Sequence, residues 1–159
     1  MDAISAIPPE IMASHDGLTQ LRMIIAGELP AAPISALLDF RLKEAEHGRA
    51  VFRGTPRAEF YNPRGTVHGG WASTLMDSAL GCAVHSVMEP GEGYTTVEFK
   101  INLTRPITDQ TGDVVCEGRI VHRGRRIATS EATLKDAAGK LLAHGTETCM
   151  VFAAPGAAG

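Results

Sequence analysis

Gly69-Gly70-Trp71-Ala72-Ser73-Thr74-Leu75-Met76-Asp77-Ser78-Ala79-Leu80-Gly81-Cys82-Ala83-Val84 is the stretch on which the fold turns. Its residues are small or apolar on nearly every helical face, and a helix of that kind is one the rest of the chain surrounds. Asp77 is the only charged side chain in it. Burying an unpaired charge costs several kcal/mol, of order 5, unless the group is hydrogen-bonded or takes up a proton. A carboxylate here therefore asks for a purpose. Just before the helix, Asn62-Pro63-Arg64-Gly65-Thr66-Val67-His68 crowds proline and glycine against its start, which leaves backbone amides free to meet a ligand. The two features together point to a catalytic site.

With 159 residues, 44% of them hydrophobic, the chain fills one core and is too short to argue for two. A net charge of −3 gives no general field for nucleic acid or anionic membrane. No basic cluster followed by an apolar run opens the chain, and no apolar stretch has the length of a membrane span, so neither a targeting peptide nor a membrane anchor is expected. Cys82, Cys116 and Cys149 are odd in number and widely spaced, which argues against a disulfide framework and against zinc. The expectation is a soluble protein of a reducing, cytoplasmic compartment.

Residues 1–15 show no sustained period and read as a loose arm. Asp16 reads as a helix N-cap, with Leu18, Leu21, Ile24 and Ile25 at helical spacing and Gly27 as the stop. This arm and surface helix occupy 1–30. The main domain spans 31–152, beginning with a turn of helix at Ile34–Leu38. Strands are expected at Phe40–Glu46, Ala50–Arg53 and Arg57–Tyr61, and the central helix then runs to a stop at Met88-Glu89-Pro90-Gly91. From Thr95 the period changes to two. Val97, Phe99, Ile101 and Leu103 share one face, and Thr96, Glu98, Lys100 and Asn102 the other, as in a half-buried strand. Further strands are expected over Asp113–His122, from the Gly124 hairpin through Lys135, and from Gly139 to near Phe152, with 153–159 a disordered tail. Consecutive strands with short turns imply antiparallel pairing. The predicted architecture is α+β, an antiparallel sheet wrapped around one long helix.

Asn62 through Gly70, Leu75-Met76-Asp77, Thr95-Thr96-Val97-Glu98-Phe99 and Thr104-Arg105-Pro106 resemble the hotdog-fold acyl-CoA thioesterases of the phenylacetate-degradation, PaaI-like type. The resemblance covers about residues 50–152 and is specific in the Asn62-to-Asp77 region. It implies hydrolysis of an acyl-CoA to free acid and coenzyme A, with no cofactor or metal beyond the coenzyme A of the substrate. A homodimer, itself paired into a homotetramer, is implied as well.

Thioester hydrolysis needs a polarised carbonyl, a stabilised oxyanion, and a nucleophile or a base that activates water. The Gly69 amide, at the positive end of the helix dipole, is the candidate oxyanion donor. The resemblance implies a site Asn at Asn62, a supporting part for His68, and a water-orienting hydroxyl at Thr96. Asp77 is base or nucleophile. Gly69 and Asp77 are eight residues apart on one helix, about 12 Å along its axis, more than one Asp side chain can bridge. If both act on one carbonyl, the Asp comes from a neighbouring subunit, with two sites per two-fold dimer. The resemblance implies the same sharing.

The Thr96 hydroxyl is expected on the face opposite Val97 and Phe99. Arg123, Arg125 and Arg126 around Gly124 form the one basic cluster, a candidate for coenzyme A phosphates or simply a solvated hairpin. Gly70 is a candidate for substrate contact or for helix packing, and Trp71, Leu75 and Met76 are expected in the core. Asp77 has its own plainer alternative, a carboxylate that sets dimer registry. Two other functions compete: a 3-hydroxyacyl thioester dehydratase or hydratase with His68 as base, and a non-catalytic acyl-thioester binding module.

Overall fold

A computed structural model describes residues 6–154. Six strands, β1 (Phe40–Glu46), β2 (Arg49–Gly54), β3 (Glu92–Leu103), β4 (Val114–Arg123), β5 (Ile127–Asp136) and β6 (Leu141–Ala153), form one antiparallel sheet in the order β1-β2-β4-β5-β6-β3. The central helix lies across one face of it and spans Gly69–His85. Three helices precede the sheet: α1 (Pro9–Ser14), α2 (Gly17–Ala26) and α3 (Pro33–Leu37), so the central helix is α4. The α+β architecture of the hotdog fold expected from the sequence is the one observed.

Local chemistry explains each boundary. Asp16 accepts a hydrogen bond from the Thr19 amide at 2.7 Å, and Gly27 closes α2 at φ +79°. The Gly124 amide bonds the Ile127 carbonyl across the β4–β5 hairpin. Asp136 Oδ1 accepts from the Ala138 and Lys140 amides in the next turn.

On α4, Trp71, Ala72, Leu75, Met76, Ala79 and Leu80 are all buried against the sheet. Where α4 crosses β4, a Cβ on Gly118 would sit 2.2 Å from the Ala79 carbonyl oxygen. Gly118→Ala must therefore push helix from sheet, and urea unfolding should read a loss of about 2 kcal/mol. An unchanged midpoint would mean that the helix packs less closely than this.

Four expectations need correction. Pro9–Ser14 is a short helix, so the loose arm is wrong there, and residues 1–5 lie outside the described residues. Arg57–Tyr61 is no strand. Ala58–Phe60 makes a 3₁₀ turn, Tyr61 makes one isolated bridge to Val67, and the Phe60 ring stacks on Trp71 at 6.1 Å. Phe60 thus finds its apolar contact on the helix and needs no place in the sheet. α4 ends at His85, about 26 Å long for its 17 residues, because Ser86 turns its hydroxyl to the Ala83 carbonyl and receives the Gly48 amide. The tail reading fails at Ala153, the last residue of β6, and at buried Ala154, whose amide bonds the Gly91 carbonyl at 2.7 Å; residues 155–159 lie outside the described residues.

The half-buried reading of β3 also fails for the single chain. β3 is a sheet edge, with Thr95 to Lys100 exposed on both faces, including Val97 at 61% and Phe99 at 44%. An apolar edge strand of this length is a template for pairing with another chain.

Candidate active site

Asp77 sits midway along α4 on the side away from the sheet's centre and is half-buried. It opens onto a cavity of about 220 Å³ whose apolar wall includes Leu21 and Ile24 of α2, Phe40 and Leu42 of β1, and Phe52 of β2. The polar wall is Ser35, Asp77, Ser78, Cys82, Tyr94 and Thr96. Burial raises the Asp77 pKa above its ordinary value. Within one chain burial wins, because among the described residues no side chain donates to this carboxyl.

Thr96 reaches the cavity through a bulge. β3 pairs Thr96 with Cys149 and then Glu98 with Thr148, so Val97 is an extra residue that shifts the alternation. Thr96 consequently faces α4, as does Phe99 opposite Glu147, which corrects the expectation that their side chains lie on opposite faces. The Thr96 hydroxyl donates to Glu147 Oε1 at 2.7 Å. Glu147, on β6, is 1% exposed, and its Oε2 has no partner among the described residues. Sequence reasoning missed it. The available signal was a lone Glu at an inward position, between the buried Gly145 and Cys149 of β6.

Gly69 and Asn62 open onto a second cavity, about 310 Å³, with Leu103, Thr104, Arg105 and Pro106 on its other side. β3 runs along α4 in reverse: Tyr94 lies beside Gly81, and Leu103 beside Gly69. Gly69 is the first residue of the helix, so its amide has no acceptor inside the helix, and none is found elsewhere among the described residues. Asn62 is held in its own turn, Oδ1 accepting from the Arg64 amide at 2.8 Å and Nδ2 donating to Thr66 Oγ1 at 3.0 Å. The second Nδ2 hydrogen has no acceptor among the described residues.

His68 is the N-cap of α4. Its Nδ1 accepts the Gly70 amide at 2.9 Å, so the ring proton belongs on Nε2. A Cβ on Gly70 would meet that ring atom at 2.9 Å, so Gly70 leaves room for the cap.

One chain therefore brings Asp77 and Thr96 together, brings Asn62 and Gly69 together, and keeps the two pairs apart. The hairpin arginines lie beyond the other end of α4. Arg123 is paired with Glu92 at 2.5 Å and bonds the Gly124 carbonyl, while Arg125 and Arg126 are exposed. Arg105, which the sequence reading passed over inside its own Thr104-Arg105-Pro106 motif, is the cation at the Asn62 cavity. Trp71, Leu75 and Met76 are core residues, as expected, and the three cysteines are free. Burial pushes the Cys82 thiol up to about 12 and the His85 imidazole down to about 4.

Comparison with known proteins bears on the fold and the family. The family model of the thioesterase superfamily matches residues 64–143, from the glycine-rich approach to α4 into β6. A Saccharolobus solfataricus protein named as a candidate esterase is 32% identical over 111 residues, 70% of this chain and 77% of that protein. Among solved structures, a phenylacetic acid degradation-related protein of Ralstonia eutropha, described as a candidate thioesterase, superposes with a TM-score of 0.74 at 25% identity, over 82% of this chain and 98% of that one. A variant of the phenylacetic acid degradation protein PaaI from Thermus thermophilus gives a TM-score of 0.68 at 28% identity, over 74% and 97%. Fold, helix entry and matched sequence agree, and the chain belongs to the thioesterase superfamily as a hotdog-fold, PaaI-like member.

Proposed function

We propose that this protein hydrolyses acyl-CoA thioesters at a site shared between two protomers. The observation that carries the reading is the separation of the two candidate pairs along one helix, Asn62 with Gly69 and Asp77 with Thr96. A two-fold partner with its helix antiparallel puts one pair opposite the other. The open apolar edge of β3, with Leu103 exposed as well as Val97 and Phe99, supports such a partner. Two of these dimers then pair into the tetramer that the family likeness suggests.

In this reading the thioester oxygen accepts from the Gly69 amide, with the second Asn62 Nδ2 hydrogen beside it, and negative charge developing on that oxygen is met by the helix dipole. A water held by the Asp77 carboxylate and Thr96 attacks the carbonyl carbon, Asp77 takes its proton, and the coenzyme A thiolate leaves. A raised carboxyl pKa suits a general base. Arg105, Arg125 and Arg126 are the cations offered to the coenzyme A phosphates, while Arg123 braces the Gly124 hairpin through Glu92.

The dehydratase alternative loses ground to the His68 cap, since the nitrogen that would serve as base already accepts the Gly70 amide. The test is thiol release from a panel of aromatic, short-chain and medium-chain acyl-CoAs. Free thiol from at least one of them is the expected result. Hydration or dehydration of the acyl group without thiol would replace the reading with the dehydratase, and binding without either would replace it with the binding module.

A further inference from the structure

Behind Thr96, Glu147 is the one fully buried carboxyl among the described residues. Its Oε1 accepts from both the Thr96 hydroxyl at 2.7 Å and the Cys149 thiol at 2.9 Å, while Oε2 faces neither solvent nor a partner among them. Gly81 of α4 packs over the carboxyl, its Cβ position 3.8 Å from Oε1, an ordinary contact, and 3.2 Å from the Tyr94 hydroxyl, the tighter one. A buried group left half unsatisfied costs about 1–3 kcal/mol, so an apolar residue would hold the fold together better. The expense is explained if the satisfied half has a task.

We propose that Glu147 is a positioning residue: by accepting the Thr96 hydroxyl proton, it leaves Thr96 able to meet the attacking water only as an acceptor. This rests on the hydrolase reading above. A water has two protons, and attack is productive when both are engaged and a lone pair is left for the carbonyl carbon. Asp77 accepts one proton, and Thr96 Oγ1 accepts the other. A freely rotating hydroxyl would instead donate to the water's lone pair or to Asp77, and either bond opposes attack.

The groups around Glu147 fit a neutral carboxyl. Asp77 and Cys82 lie near it from α4, Tyr94 from β3 and Cys149 from β6, with no Lys or Arg among them; Glu98 is paired with Thr148 on the outer face of the sheet and adds its negative charge from there, and His85 stacks beside Tyr94. Burial first, then the charges of Asp77 and Glu98, raise its pKa, against the lowering effect of its two hydrogen bonds. With the proton on Oε2, Oε1 behaves as a carbonyl oxygen and accepts both donors. A Gln reproduces that oxygen, and a Leu does not.

The experiment compares Glu147→Gln, Glu147→Leu, Thr96→Val and the Thr96→Val/Glu147→Leu pair, using an acyl-CoA that the wild type cleaves, with dimer and melting point checked for each. Glu147→Gln should keep kcat within about threefold and leave the acid limb of the pH profile in place. Glu147→Leu should lose about tenfold in kcat with KM unchanged, and the pair should be no worse than Thr96→Val alone. Multiplying losses, a wild-type-like Glu147→Leu, or a Glu147→Gln as poor as Leu would overturn the assignment. So would an acid limb displaced in Glu147→Gln, since that means an ionised Glu147. Should Glu147→Leu fail to fold, the kcat and acid limb of Glu147→Gln decide. Failure of the hydrolase reading looks different: no thiol from the wild type, or none of its activity lost with Asp77.

Discussion

Asp77→Ala should lower the turnover of acyl-CoA at least about 100-fold while the protein still dimerises, a loss of the size expected when general acid–base help is removed. The pH dependence of the wild type carries the same claim with a definite sign. A base works ionised, so activity falls as pH drops through the Asp77 pKa, and burial places that acid limb above the ordinary aspartate value of 3.8. The fold favours the protonated form. Its contribution to stability is therefore full below the unfolded pKa and is lost as pH rises through the folded one. Asp77→Asn removes that loss, so it should melt no lower than wild type near neutral pH while being as inactive as Asp77→Ala. Chemistry and fold are thereby separated. Turnover near wild type in either variant would leave Asp77 with the plainer task of dimer registry.

The parts of this fold that could be read from sequence are those where a residue's type alone sets its environment. Asp16 and Gly27 bound α2 because a cap oxygen and a left-handed residue are demanded there. A charge alone in an apolar helix pointed to Asp77, and the free first amide at Gly69 follows from helix geometry. The misses are of another kind. No residue of β3 announces a bulge at Val97, because the bulge is a matter of register with β6, and one extra residue was enough to turn Thr96 to the other face. Glu147 gained its meaning only when that turn brought Thr96 against it, across 51 residues of chain. Arg123 read as a free cation because Glu92, its partner, is 31 residues away. Phe60 kept the alternation of a strand yet packs on Trp71. Local chemistry was legible, and pairing across distance was not.

Mixing two inactive variants should restore activity, and the amount is set by symmetry. Asn62→Ala damages the half-site at the start of α4, and Asp77→Ala damages the half-site at its middle, so each homodimer has two broken sites. In a mixed dimer the intact Asn62 and Gly69 of the Asp77→Ala chain face the intact Asp77 and Thr96 of the Asn62→Ala chain, and the reciprocal site collects both lesions. Half of randomly re-paired dimers are mixed, and each has one working site of two, so about a quarter of wild-type activity should return. The rise is large against backgrounds near 1%. It requires subunit exchange, brought about by unfolding the two variants together in urea and refolding them, with each variant refolded alone as control. A site contained in one chain predicts no recovery at all, because every chain in the mixture still has a lesion. That outcome would break the link between the two cavities, since the roughly 12 Å along α4 between Gly69 and Asp77 leaves a single chain no way to present both groups to one thioester.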